Sequence, residues 1–116
     1  MRTSAAQRVS RIIFAPSETL HAPHLIDLEI AQVLRRYVRS AVISTERGAE
    51  ALNDLSDFPL TRYPHFVLLT RMWQMRHDLT AYDATYLALA EALDAPLVTR
   101  DRALARTGSQ ARVQVI

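Results

Sequence analysis

Two adjoining stretches decide the fold: Leu79-Thr80-Ala81-Tyr82-Asp83-Ala84-Thr85-Tyr86-Leu87-Ala88-Leu89-Ala90 and, shortly after it, Pro96-Leu97-Val98-Thr99-Arg100-Asp101-Arg102-Ala103-Leu104. The first predicts a helix opened by Thr80 and running through Leu93, with Tyr82, Tyr86, Leu89 and Leu93 as a packed stripe. The second predicts a short buried strand, Pro96 to Thr99, and then a brief helical turn from Arg102 to Ala105. If that strand is parallel to its neighbours, Asp101 stands just beyond its carboxyl end, the rim where open α/β sheets place their ligands.

The same alternation extends outward. Pro16, Pro23, Pro59, Pro64 and Pro96 divide the chain into blocks. Ser4 to Phe14 reads as a short helix with Ala5, Val9, Ile12 and Ile13 on one face, and Leu20-His21-Ala22 as a short strand. Leu25 to Val42 is a long helix that buries Ile26, Ile30, Val33, Leu34 and Tyr37. Ser44 caps a helix to about Leu55, and Arg47 three residues on makes no full capping box. Leu60-Thr61-Arg62-Tyr63 alternates as a strand, a helix follows Pro64 to about His77, and Arg112 to Ile116 is a terminal strand. Helices alternating with short strands give an α/β class with a mostly parallel sheet.

Composition narrows the function classes. The chain has 116 residues, 49% apolar and 22% charged, which suits one globular domain. It has no cysteine, so disulfides, thiolate zinc sites and a cysteine nucleophile are excluded, and the chain reads as cytoplasmic. No apolar run approaches the ~18 residues of a membrane span, so no membrane partner is expected. The two glycines form no phosphate-cradling loop. All 14 basic residues are arginine, yet the net charge is only +2. Arginine's flat fork matches phosphate, but codon bias is the better explanation of so modest a balance.

Three acids stand apart from the rest. Glu29 has Leu25 and Ile26 one turn back and Val33 one turn on, so it borders the apolar stripe of its helix. It either reaches solvent, pairs with Arg36, or belongs to a site. Asp83 follows Thr80 by three residues, the spacing of a capping-box acid, but it too borders a packed stripe. Asp101 is either a cap for the turn after it or a rim ligand. Taken together, the three could converge on one rim. Gathered carboxylates repel unless a cation sits between them. Oxygen donors without thiolates suit Mg²⁺ or Mn²⁺, which activate water and neutralise phosphate charge. Asp27 is explained as a first-turn acid favoured by the helix dipole.

The segments 79–90 and 96–104, in this order and spacing, resemble the core of PIN-domain ribonucleases of the VapC toxin type. Ala22-Pro23-His24-Leu25-Ile26-Asp27-Leu28-Glu29-Ile30 resembles that family's second acidic motif, and the likeness runs from about Ala6 to Ile116. It implies a PIN-like three-layer sandwich over residues 1–116 and a metal-dependent endoribonuclease, the toxin of a toxin–antitoxin pair. By that resemblance Glu29, Asp83 and Asp101 hold Mg²⁺ or Mn²⁺ and position the attacking water, and Thr99 supports the last acid. Arg36 and Arg100 are candidate contacts to RNA phosphate. The implied partners are a VapB-like antitoxin covering the acids, often through an arginine, structured RNA, and a second copy in a homodimer.

One departure from the family matters. PIN domains begin with an apolar strand ending in aspartate and central in the sheet; this chain has neither, and its first acid is Glu18. Met1 to Phe14 looks like the helix that normally follows the missing strand. Losing that strand leaves costly unpaired backbone groups and removes one carboxylate. Either the start is misplaced and Met1 is internal to a longer protein, the explanation favoured here, or this is a short form that borrows a strand from another chain. In both cases the chain as given is expected to be weak or inactive. The alternative reading is a non-catalytic PIN-like module that binds antitoxin or RNA.

The remaining features have plain explanations. His21 and His24 make an H-x-x-H pair, but it straddles Pro23 and lacks the i, i+4 spacing of a helical zinc site. His65 and His77 are surface or helix-end residues. Met72, Trp73 and Met75 are core or interface rather than a base-stacking platform. Arg35, Arg36 and Arg39 form a basic face, most simply a solvated one.

Overall fold

The computed structural model describes residues 11–15, 19–106 and 109–116. Among the described residues five short strands form one sheet in the order β3-β2-β1-β4-β5. They are β1 (Ile12–Phe14), β2 (Leu20–Pro23), β3 (Leu60–Tyr63), β4 (Leu97–Thr99) and β5 (Val113–Val115). The helices are α1 (Leu25–Arg39), α2 (Thr45–Asp57), α3 (Leu69–Gln74) and α4 (Ala81–Leu93), with 3₁₀ turns at Phe66–Leu68 and Arg102–Arg106.

β2 pairs parallel with β3, and β4 with β5, while β1 is antiparallel to both β2 and β4. Four strands therefore run one way and the central one runs against them, which makes the sheet mixed but mostly parallel. The order agrees with the α/β sandwich expected from the sequence.

The expected helix from Ser4 to Phe14 is corrected at its end. Ile12, Ile13 and Phe14 form the central strand instead, and residues 4–10 of that helix, like Glu18, lie outside the described residues. Two β-branched residues and an aromatic suit a pleat better than a helix. Position settles the matter: Ile13 is fully buried, opposite His21 on one side and Leu97 on the other. The strand supplies hydrogen bonds to two neighbours that would otherwise expose bare edges inside the fold. Its direction follows from chain length. The Ala15 N–H donates to the Thr19 carbonyl at 3.0 Å, and so tight a link to β2 cannot make the crossover that a parallel pair needs. Among the described residues the middle of the sheet is held by Ile12–Phe14.

α4 forms the centre of the core. Thr80 caps it, its hydroxyl accepting from the Asp83 N–H at 3.2 Å. Seven consecutive residues, Ala84 to Ala90, are buried. A helix buried all round needs neighbours on every side, and α4 packs on β1, β2 and β4 of the sheet as well as on α3. Burying Leu87 and Leu89 stabilises the fold by roughly 2–3 kcal/mol each. α1 ends at Arg39, short of the expected Val42, because Ala41 takes a left-handed turn with φ 61°. α2 returns against α1, with Gly48 at the closest approach: a Cβ there would meet Val38 Cγ2 at 3.0 Å. Asp27 sits in the first turn of α1 as expected. It also takes Arg62 Nε from β3 at 2.8 Å, while Arg62 Nη2 donates to the Leu55 carbonyl, which ties sheet and helices together.

Candidate active site

The topology gathers several chain ends at one rim. β2 ends at Pro23 and leads through His24 into α1, so Glu29 lies in the second turn beyond the carboxyl end of β2. β4 ends at Thr99, with Asp101 two residues beyond it. Because β1 runs the opposite way, its beginning lies at this same rim, and the residue entering it is Arg11. The pairings of Ile12 with Val98 and Ile13 with His21 fix this placement. A parallel strand would have brought its exit here.

Arg11 has a side-chain exposure of 0% and lies between two of the three singled-out acids. Its Nη2 donates to Glu29 Oε2 at 3.0 Å, and its Nη1 donates to Asp83 Oδ1. The carboxylates are 12% and 18% exposed. The guanidinium carbon stands 4.3 Å from the centre of the Tyr86 ring, a cation–π contact. The Tyr86 hydroxyl donates to Glu29 Oε1 at 2.6 Å. Burial above all, and then the carboxylate beside it, raises the Tyr86 hydroxyl well above the usual phenol range, so it stays protonated and donating. Arg11, Glu29, Tyr86 and Asp83 thus form one hydrogen-bonded unit drawn from the strand entrance, α1 and α4.

Of the sequence candidates, Glu29 and Asp83 are brought together through Arg11. Glu29 pairs with Arg11 rather than Arg36. Asp83 heads a capped helix, but its carboxylate turns to Arg11. Asp101 is buried, its Oδ1 accepting from the Ala103 N–H at 3.0 Å, as an N-cap would. Thr99 is fully buried, and its hydroxyl accepts from the Asp101 N–H at 3.0 Å, which shapes the loop that carries Asp101. Arg36 and Arg100 are exposed. The His21 ring nitrogens meet Tyr63 Oη at 2.6 Å and Thr19 Oγ1 at 2.7 Å, so they bind within the protein and His24 stands apart, exposed. Met75 is core, whereas Trp73 is exposed beneath a stacked Arg76.

The donors are carboxylate oxygens, the right chemistry for a hard divalent cation. With Arg11 seated between two of them, they are not arranged to hold one. A guanidinium fills the space between Glu29 and Asp83, and among the described residues no three His, Cys, Asp or Glu side chains are grouped to hold a metal ion. Arg11 is the residue that sequence reasoning missed. Its signal was the Ile-Ile-Phe run directly after it, which marks a strand and puts the arginine at the strand's mouth.

Comparison with known proteins places this geometry in a family. The model of the PIN domain matches residues 2–110. The chain is 47% identical over 92 residues to VapC ribonuclease Mb0985 of Mycobacterium bovis, covering 79% of this chain and 72% of that protein. It is 50% identical over 86 residues to Ribonuclease VapC1 of Mycobacterium tuberculosis, covering 73% and 65%. Ribonuclease VapC12 of Mycobacterium tuberculosis aligns along the whole chain, at 32% identity over 117 residues and 89% of its own length. A mixed sheet ordered 3-2-1-4-5, with acids from α1 and α4 drawn to one rim and these relatives beside it, makes the chain a member of the PIN domain family, of the VapC ribonuclease type.

Proposed function

We propose that the chain hydrolyses RNA phosphodiester bonds as the toxin of a toxin–antitoxin pair, with Glu29, Asp83 and Asp101 as its working acids and Mg²⁺ or Mn²⁺ as its cation. The observation that carries this reading is the meeting of Glu29 and Asp83, from two different helices, at the carboxyl rim of the sheet. Thr99 supports Asp101 through the loop backbone, and the exposed Arg36 and Arg100 are the candidate phosphate contacts. A VapB-like antitoxin covering this rim, a homodimer and a cytoplasmic setting belong to the same proposal. No described helix is long and apolar enough to cross a membrane.

The test is cleavage of transfer and ribosomal RNA by the purified chain, free of antitoxin, with Mg²⁺ or Mn²⁺. Weak cleavage is expected, and its loss in Glu29→Gln, Asp83→Asn and Asp101→Asn, each checked for folding by circular dichroism. Equal activity in all four proteins would sink the assignment of these acids. One observation favours a second reading, that of a non-catalytic module binding antitoxin or RNA: the arginine already seated between two of the acids. Binding of antitoxin or RNA, with no cleavage at any metal concentration, is the outcome expected of such a module.

A further inference from the structure

We propose that Arg11 is a cation supplied by the chain itself, which holds Glu29 and Asp83 together and competes with a divalent ion for them. The inference rests on the reading of those acids as a metal-binding pair and adds a means of regulating it. Three observations support it. Arg11 is wholly buried and spans both carboxylates with separate nitrogens, a two-pronged arrangement that a planar fork makes well. It is held from its face by Tyr86, whose hydroxyl also fixes Glu29, so guanidinium and acid are set in one frame. It is also delivered by the shortest of handles. It precedes a three-residue strand that runs against its neighbours, so its position depends on a small element at the sheet's centre.

Charge favours exchange. Both carboxylates attract positive charge, and a doubly positive ion carries twice the charge of the guanidinium that spans them. The cation and Arg11 cannot share the space between Glu29 and Asp83. Loading the ion therefore requires the guanidinium to leave, and this requirement makes the acids resistant to metal at low concentration.

The experiment is a Mn²⁺ titration by calorimetry of the chain and two variants, Arg11→Gln and Arg11→Lys. Lysine keeps the charge and the stem but, as a compact point charge, grips the two carboxylates less firmly, and it covers the case in which the glutamine variant does not fold. Mn²⁺ affinity is expected to rise at least tenfold in Arg11→Gln and about threefold in Arg11→Lys. Equal affinity in all three proteins, including no binding by any, overturns the arginine's role. Asp83→Asn then separates the two proposals: if it abolishes an equal Mn²⁺ affinity, the acids remain the metal pair and only the competition is wrong; if it changes nothing, both fall.

Discussion

Two arginine–carboxylate clusters, one at each end of α4, are built on opposite principles. Near its carboxyl end, Glu91 is saturated. Oε2 accepts from Arg71 Nε at 2.6 Å, and Oε1 accepts from Arg71 Nη2, Ser109 Oγ and the Gln110 N–H, all within 2.9 Å. One acid has four donors. At the amino end the ratio is reversed: one arginine serves two acids. The first cluster pins α3 and the segment before β5 to α4, and its charge is fully answered. The second shares one guanidinium between two carboxylates and sits where three elements meet. A saturated pair is a fastener, whereas two acids sharing one cation are a place where something else can bind.

The largest effect expected from this contrast comes from removing both acids at the amino end. Glu29→Gln with Asp83→Asn takes from a wholly buried guanidinium the two carboxylates it spans, at a cost of about 3–5 kcal/mol. Adding Arg11→Met should restore most of it, because a packed apolar side chain needs no partner. Chemical denaturation of the three proteins measures both steps, and failure of the methionine to rescue breaks the idea that the stranded charge is the cost.

A smaller effect is expected at Glu91. The hydrogen bonds from Arg71 first, helped by Ser109 and Gln110, lower its carboxyl from 4.5 to about 2. A carboxylate depressed on folding contributes stability that is complete above its unfolded value and fades as pH falls toward the folded one. With Glu91 13% exposed, that contribution is about 2 kcal/mol at neutral pH. Glu91→Gln should lose it at pH 7 and approach the parent protein's stability near pH 2, as thermal unfolding across that range would show. The smallest effect is expected of Ser109→Ala, which takes away one of four donors and should cost about 0.5–1 kcal/mol. A loss as large as that of Glu91→Gln would mean that the cluster depends on each donor rather than sharing the load.

Much of this was legible in the residues. Thr80 before a long apolar run marked α4, because a hydroxyl at a helix start and an unbroken packed face are local signals. Pro96 to Thr99 marked β4, and the spacing of Asp83 and Asp101 pointed to the rim. The strand at Ile12–Phe14 was misread as a helix end because three residues hold too little periodicity to tell the two apart. The partner of Glu29 was misjudged for a related reason. Along the helix Arg36 is two turns away, and nothing local says that Arg11, from another element, is closer.

What the sequence determined by itself was the set of parts: which segments coil, which extend, and which acids border apolar surface. Those properties are set by neighbours a few bonds away, through side-chain period and capping. Only the tertiary structure decided the direction of the central strand, and with it which end of that strand faces the acids. That direction came from the short link to β2 and from the two open edges waiting on either side. Both are long-range facts of assembly, and they placed an arginine between Glu29 and Asp83.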